Sequence, residues 1–269
     1  VLTSSSISGG AAPGVAPSVT VTGVPGLPLF QPGDDLAGAI ADGLAAAGLR
    51  LLDGDVVVVA QKVVSKVEGR LVALSGVEPG ASARQAAAKA DKDPAVVQLI
   101  EQESAEIMRV APGVVIARHR SGQVLANAGI DASNISHEGG DRVLLWPVDP
   151  DASARRLRQA LEARFGARLA VVISDSLGRA WRMGTTGTAI GVSGLKPIRD
   201  RRGETDLFGR TLIATVIGVA DEIAAAASLV IGEATEGLPV AVVRGAAYVR
   251  DEAAGMDEMI RPLAQDLFR

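Results

Sequence analysis

The sequence predicts an α+β protein: a large mixed β-sheet with flanking helices, and a smaller α+β subdomain. Three observations lead there. Short runs such as VVVVA at 56–60 and LAVVIS at 169–174 have the length and β-branched content of buried strands. Alanine-rich stretches with apolar residues at helical spacing lie between such runs. The two kinds of segment are interspersed without strict βαβ alternation, which favours a mixed sheet over a doubly wound parallel one.

Residues 1–18, rich in Ser, Gly, Ala and Pro and beginning without methionine, read as a mobile leader, and residues 19–269 as the folded domain. Val and Thr alternate across 18–24, a strand signature, and the turn-rich GVPGLPLFQPGDD introduces a helix. Asp34 is the expected N-cap of that helix over 36–47, with Gly48 as its stop. Gly54 and Asp55 open the buried strand 56–60, and QKVVSKVEGR follows as a short connection crowded by Lys62, Lys66 and Glu68. Residues 81–106 predict one or two helices broken at Pro94, and 114–119 with 123–126 predict a hairpin around Ser121 and Gly122. Because these elements interrupt the larger pattern, an inserted subdomain is expected over about 70–141. Asp149 followed by Pro150 starts a helix to Phe165, since a capping carboxylate and a proline at the first helical position match the free backbone groups there. Strands at 169–174, 188–191, 212–217 and 240–244 follow, with a helix over 221–229. No internal repeat is evident.

Composition narrows the function. With 48% hydrophobic residues in 269, the chain has ample material for a core. A net charge of −4, a pI near 5.3 and only 3% aromatics argue against a nucleic-acid partner, which calls for a basic face and stacking rings. The absence of cysteine excludes disulfides, a thiolate nucleophile and any sulfur-built zinc or iron–sulfur site. No apolar run approaches the roughly 20 residues that span a bilayer, and the start lacks the basic and apolar regions of a signal peptide. The expected compartment is the cytoplasm, with no membrane partner.

The most informative stretch is AVVISDSLGRAWR at 170–182, where an apolar run ends on Asp175 and Ser176 and is expected to turn through Gly178. Ligands collect beyond the carboxyl ends of such strands. Asp131 in NAGIDASN and Glu233 in IGEATEG are similar acidic spots, and three carboxylates on three turns point to a divalent-cation site for phosphate chemistry. The standard nucleotide signatures GxxxxGK[ST] and GxGxxG are missing, so the candidate phosphate cradles are backbone amides in GLPLF and IGEATEGLP, with Lys66 as a point charge. Each residue also has a plainer reading. Asp131 can make an Asx turn, Asn134 can cap a helix, Asp175 can be a loop carboxylate and Glu233 a solvated helix end. His119 and His137 are the only histidines, which makes Ser-His-Asp chemistry a poor fit, and the basic run 199–202 with Asp200 reads as a solvated loop.

Taken together, GLPLFQPGDDL, QKVVSKVEGR, NAGIDASN, ISDSLGRAWRMGTTGTAIGVSG, DLFGR, VADEIAAAASLVIGE and PVAVVRG closely resemble the coenzyme F-420 gamma-glutamyl ligase family, in order and across about 21–250. The resemblance implies a GTP-dependent ligase that joins L-glutamate to the lactyl carboxylate of a deazaflavin coenzyme precursor through an acyl phosphate, with further gamma-linked glutamates added in many members. It also implies a homodimer, a divalent metal (magnesium or manganese) and room for a monovalent cation such as potassium. Carried over by residue, it places metal ligands at Asp131, Asp175, Ser176 and Glu233, with Lys66 and Asp175 central to the chemistry. It places GTP contacts at Leu27, Pro28, Leu29 and Phe30, at Gln61, Lys62, Lys66 and Asn134, and at Ile231, Gly232, Glu233, Ala234, Thr235, Glu236, Gly237 and Leu238. The sequence departs from the family pattern at Gln61 and Lys62, where small hydroxyl residues are usual, and at 234–236, where a glycine-richer loop is usual. Two rivals remain at this stage: a non-catalytic nucleotide-binding module, and a metal-dependent hydrolase of phosphate or amide bonds.

Overall fold

The computed structural model describes residues 16–266, so residues 1–15 of the expected leader lie outside the described part. In chain order the strands are β1 (Thr20–Gly23), β2 (Val56–Ala60), β3 (Leu71–Ala73), β4 (Ser104–Ala111), β5 (Val114–His119), β6 (Val124–Ala126), β7 (Arg142–Leu144), β8 (Ala170–Arg179), β9 (Arg182–Ser193), β10 (Arg199–Asp200), β11 (Val216–Ile217) and β12 (Val240–Arg244). The helices are α1 (Leu36–Ala46), α2 (Gln61–Val67), α3 (Ala81–Ala90), α4 (Pro94–Glu103), α5 (Pro150–Phe165) and α6 (Val219–Ile231), with short 3-10 turns between. Helices and mixed sheets together make the fold α+β, as the sequence predicts. Among the described residues no helix is long and apolar enough to cross a membrane.

The principal sheet has the order β1-β12-β2-β8-β9. Only β2 and β8 run parallel; every other neighbouring pair is antiparallel. Alternation of side chains across the pleat sorts the valines of β2 into two cores. Val57 and Val59 join Val171, Ile173, Val240 and Val242 beneath α1 and α5. Val56 and Val58 join Val172, Ala241 and Val243 beneath α6. Both faces of β2 are therefore buried, which explains its unbroken run of valine. Each such side chain contributes about 1.5–3 kcal/mol on burial. A third apolar cluster gathers Leu99 and Ile100 of α4, Val115 and Ala117 of β5, and Val143 and Leu145.

One buried charge fixes the start of β2. Asp55 is 1% exposed and accepts from Nε and Nη2 of Arg244 at 2.8 and 2.7 Å, and from the Leu52 amide at 2.8 Å. This bidentate pair ties β2 to the end of β12.

Several expectations need correction. Asp35, not Asp34, caps α1, accepting from the Gly38 amide at 2.9 Å; Asp34 instead closes the preceding turn through the Gln31 amide at 2.7 Å. QKVVSKVEGR is not a simple connection, because Gln61–Val67 forms α2 with Val63 and Val64 packed into the core. The stretch expected to turn at Gly178 stays extended: β8 pairs with β9 through Arg179↔Arg182, and the hairpin reverses at Ala180 and Trp181, the latter at φ +62°. Strand β4 is absent from the sequence reading, and the strand expected over 212–217 shrinks to Val216–Ile217. Asp149 and Pro150 start α5 as expected, and the hairpin β5–β6 forms where Ser121 and Gly122 indicate.

Candidate functional site

The parallel pair β2–β8 builds the site. Its register places Ala60 beside Ser174; there β2 ends and runs into α2, while β8 continues through Asp175 and Ser176, paired with β9. The turn between β1 and α1 and the loop between α6 and β12 close over this point. They enclose a cavity of about 270 Å³.

Most of the expected nucleotide positions meet on this cavity. The segment Leu27 to Phe30 forms one wall; Gln61, Lys62 and Lys66 of α2, with Asn134, form another; and the loop from Ile231 through Ala234, with Glu236, Gly237 and Leu238, forms the third. Asp175, Ser176 and Glu233 also line it. Asp131 and Thr235 are the expected residues that do not. Gln61 lines the cavity but spends its amide inward, on Ser65 Oγ at 2.6 Å and the Leu145 carbonyl at 3.4 Å, as its 2% exposure requires.

Asp175 is held from below. Trp146, fully buried, donates from Nε1 to its Oδ2 at 2.8 Å, and the Ser176 amide donates to its Oδ1 at 2.8 Å. Burial raises its pKa above the ordinary carboxylate value and outweighs the opposing Trp146 and Ser176 bonds and the nearby Lys62 charge; Asp131 adds like-charge repulsion. Asp131 behaves oppositely. Burial works against its charge, but Lys62 at 2.7 Å and the amide and hydroxyl of Ser133, each at 2.8 Å, hold it below the usual range. The Ser133 amide bond is the Asx turn of the plainer reading, so the structure shows Asp131 in a local turn paired with Lys62. Ser176 Oγ donates to Oε1 of Glu233, which joins β8 to the loop after α6.

Lysine charge faces the same space. Lys62 also donates to Ser133 Oγ at 2.7 Å, and Lys66, one helical turn on, donates to the Asn134 carbonyl at 2.7 Å. Burial and the neighbouring Lys62 charge lower the pKa of Lys66. The loop after α6 already holds one carboxylate on its backbone. The Glu236 carboxylate folds back onto this loop, accepting from the Ala234 amide at 2.8 Å, and backbone N–H groups of 233–236, its own first, hold its pKa down.

Among the described residues no group of three or more His, Cys, Asp or Glu side chains is arranged so that it could hold a metal ion. The donor chemistry nonetheless suits a hard one. Asp175 carries a charge that burial and Asp131 both oppose, and its neighbours Ser176 and Glu233 offer oxygen only.

Sequence reasoning missed Trp146, Ser133 and Gly187. Trp146 is one of two tryptophans in an aromatic-poor chain and sits at the end of VLLWP, which is the signal that marked it. Gly129 makes room for it: a Cβ there would lie 2.3 Å from Trp146 Nε1. The basic run at 199–202 is engaged locally, with Arg202 on Asp200 and Arg201 on Glu204.

A family model described as F420-0:Gamma-glutamyl ligase matches residues 26–245. The coenzyme F420:L-glutamate ligase of Methanothermobacter thermautotrophicus is 45% identical over 255 residues, covering 93% of this chain and 99% of that protein. Its namesake from Archaeoglobus fulgidus is 43% identical over 251 residues, with 93% and 96% covered, and that from Methanocaldococcus jannaschii 41% over 243, with 90% and 94% covered.

Proposed function

The chain belongs to the F420-0:gamma-glutamyl ligase family, and on that premise we propose that it joins L-glutamate to a deazaflavin coenzyme by amide-bond formation driven by GTP. The observation that carries this reading is the convergence of Asp175, Ser176, Glu233 and Lys66 on one cavity beside a loop whose backbone already holds a carboxylate.

A carboxylate resists attack by an amine because it is anionic and has no leaving group. The acceptor carboxylate oxygen therefore first attacks the γ-phosphorus of GTP; the bond to the β-phosphate oxygen breaks and GDP leaves with that electron pair. The glutamate amine then attacks the acyl carbon, the carbon–oxygen bond to phosphate breaks, and the nitrogen loses its proton. Within this scheme Lys66 supplies fixed positive charge to the phosphates, and the amides of 233–236 cradle phosphate oxygens once Glu236 swings away. Asp175, Ser176 and Glu233, with Asp131 after release from Lys62, would hold a divalent cation, magnesium or manganese. When bound, such a cation neutralises charge on phosphate oxygens. Trp146 keeps the Asp175 carboxylate aimed at the cavity.

A homodimer fits the surface. Trp181 at the β8–β9 tip is 91% exposed, and Leu207 and Phe208 in the β10–β11 connection are 98% and 95% exposed. These large exposed apolar side chains are what support the dimer reading.

The test is incubation with the glutamate-free deazaflavin acceptor, L-glutamate, a divalent cation and either GTP or ATP. Addition of glutamate mass with stoichiometric GDP is expected, and counting the added mass gives the number of glutamates. GTP hydrolysis without glutamate incorporation would identify a hydrolase, and nucleotide binding without turnover a binding module.

A further inference from the structure

Arg70, just after α2, clasps the chain that follows β7 at two points. Its carbonyl accepts from the Leu145 amide at 3.1 Å, and its Nε donates to the Trp146 carbonyl at 2.7 Å. Its Nη2 donates to Oε2 of Glu103, the last residue of α4, at 2.7 Å. The guanidinium is a planar fork, so a partner on one nitrogen fixes the direction of the next. Glu103 thereby sets how Nε meets Trp146.

The pair is charged and shielded. The Arg70 and Glu103 side chains are 21% and 16% exposed. Burial works against the Glu103 charge, but His119 and Arg70 beside it hold its pKa below the ordinary carboxylate value. His119 supports the indole from another side. Its ring centroid lies 4.9 Å from that of Trp146 at a tilt of 56°, and its Nδ1 accepts from the Ser121 amide at 3.1 Å, which pins the ring. The far end of the indole donates to Asp175.

Arg70, Glu103 and His119 are not among the residues that line the cavity beside β2 and β8, so their influence on its chemistry passes through Trp146. The backbone bond from Leu145 to Arg70 and the burial of the indole keep Trp146 in the core with or without the guanidinium. What the guanidinium adds is direction. A hydrogen bond weakens steeply as its angle closes, and the indole offers a single N–H to a single carboxylate oxygen.

We propose that Arg70, braced by Glu103, is a positioning residue: it sets Trp146 so that the indole N–H meets Asp175 and keeps that carboxylate turned to the cavity. The inference rests on the ligase reading above and extends its machinery to an ion pair between α4 and the chain after α2.

NMR of isotope-labelled tryptophan reports the contact directly, without nucleotide, acceptor or metal. The Trp146 indole signal is the one lost in Trp146→Phe, and its bond to a carboxylate keeps it downfield and slow to exchange with solvent. Arg70→Lys retains a positive charge for Glu103 but loses the fork. It should move the Trp146 signal upfield and speed its exchange. In turnover, kcat should fall about tenfold while the KM values for acceptor and L-glutamate hold, because a misplaced group costs rate rather than binding. Glu103→Gln keeps an acceptor for Nη2 and should show the same changes to a smaller degree. An unmoved indole signal in Arg70→Lys, or a moved signal with kcat unchanged, overturns the inference and leaves the ligase reading standing, even if Tm falls. Should Arg70→Lys fail to fold, Glu103→Gln alone decides by the same two measurements. An unaltered protein that incorporates no glutamate overturns both.

Discussion

Nε1 of Trp146 lies 2.8 Å from Oδ2 of Asp175 and donates to it from a ring with no exposed surface. The bond opposes the rise in pKa that burial imposes on that carboxyl. Trp146→Phe keeps most of the ring and removes the donor, so the Asp175 pKa should rise further. Activity that needs the charged carboxylate should lose its acidic limb at a higher pH than the unaltered protein. A pH–rate profile with an unmoved acidic limb would show that the indole only fills space.

Asp175→Asn should reduce turnover by at least about 100-fold, since a few kcal/mol of transition-state charge stabilisation disappears at tenfold per 1.4 kcal/mol. Its stability should move the other way. With the pKa raised in the folded state, the stability Asp175 contributes is present below the unfolded value of 3.8 and is lost as pH rises through the folded value. At neutral pH and without divalent cation, the Asn variant should melt at or above the parent temperature, and the difference should shrink as pH falls toward 3.8. A lower melting temperature with near-normal turnover would reverse the assignment.

Lys66→Met should weaken GTP binding by about 1–3 kcal/mol, the scale of a charge-assisted hydrogen bond. Lys62→Met should cost less in GTP affinity, because Lys62 is committed to Asp131 and Ser133. It should instead let the Asp131 pKa rise, since the Lys62 contact helps hold it down. Isothermal titration of both variants separates the roles; equal losses would place both lysines on the phosphates.

Gly129→Ala should destabilise the protein by about 1–3 kcal/mol, from backbone strain and the overpacking of a filled core. Gly129 sits at φ +74°, and the added methyl would press on Trp146. Because Trp146 supports Asp175, turnover should fall along with melting temperature. Full activity in a folded Ala variant would show that the indole can shift without disturbing the carboxylate.

Paired Trp181→Asp and Phe208→Asp substitutions should yield a monomer by light scattering where the unaltered protein gives a dimer. Monomeric mass for the unaltered protein across micromolar concentrations, with full activity, would remove the dimer from the proposal.

Much of this architecture was legible because buried strands announce themselves. VVVVA and AVVIS have the length and β-branched content of buried strands and form them, and Asp149-Pro150 named the start of α5 to the residue. What misled was polarity near the site. Asp175 and Ser176 broke the apolar run and so looked like a turn, yet β9 pairs with them and keeps them extended. Gln61, Lys62, Ser65 and Lys66 made α2 look like a loop, although Val63 and Val64 anchor it. Strand β4 follows α4 directly with no Gly or Pro to mark the change, so its pairing with β5 decides its form. The acidic residues were visible one by one; the buried indole that supports Asp175 depends on a contact between positions 29 residues apart, which no local pattern encodes.

The strand order also constrains how the chain is made. β1 has a single neighbour in the sheet, β12, and β12 also supplies one flank of β2. Until residue 244 has emerged, β1 has nothing to pair with and β2 keeps an open edge. Completion of the sheet is therefore limited by long-range strand insertion, which is slow and leaves unpaired edges open to aggregation. The loop that carries Glu233 leads directly into β12, so a chain stalled before β12 lacks one wall of the cavity beside β2 and β8.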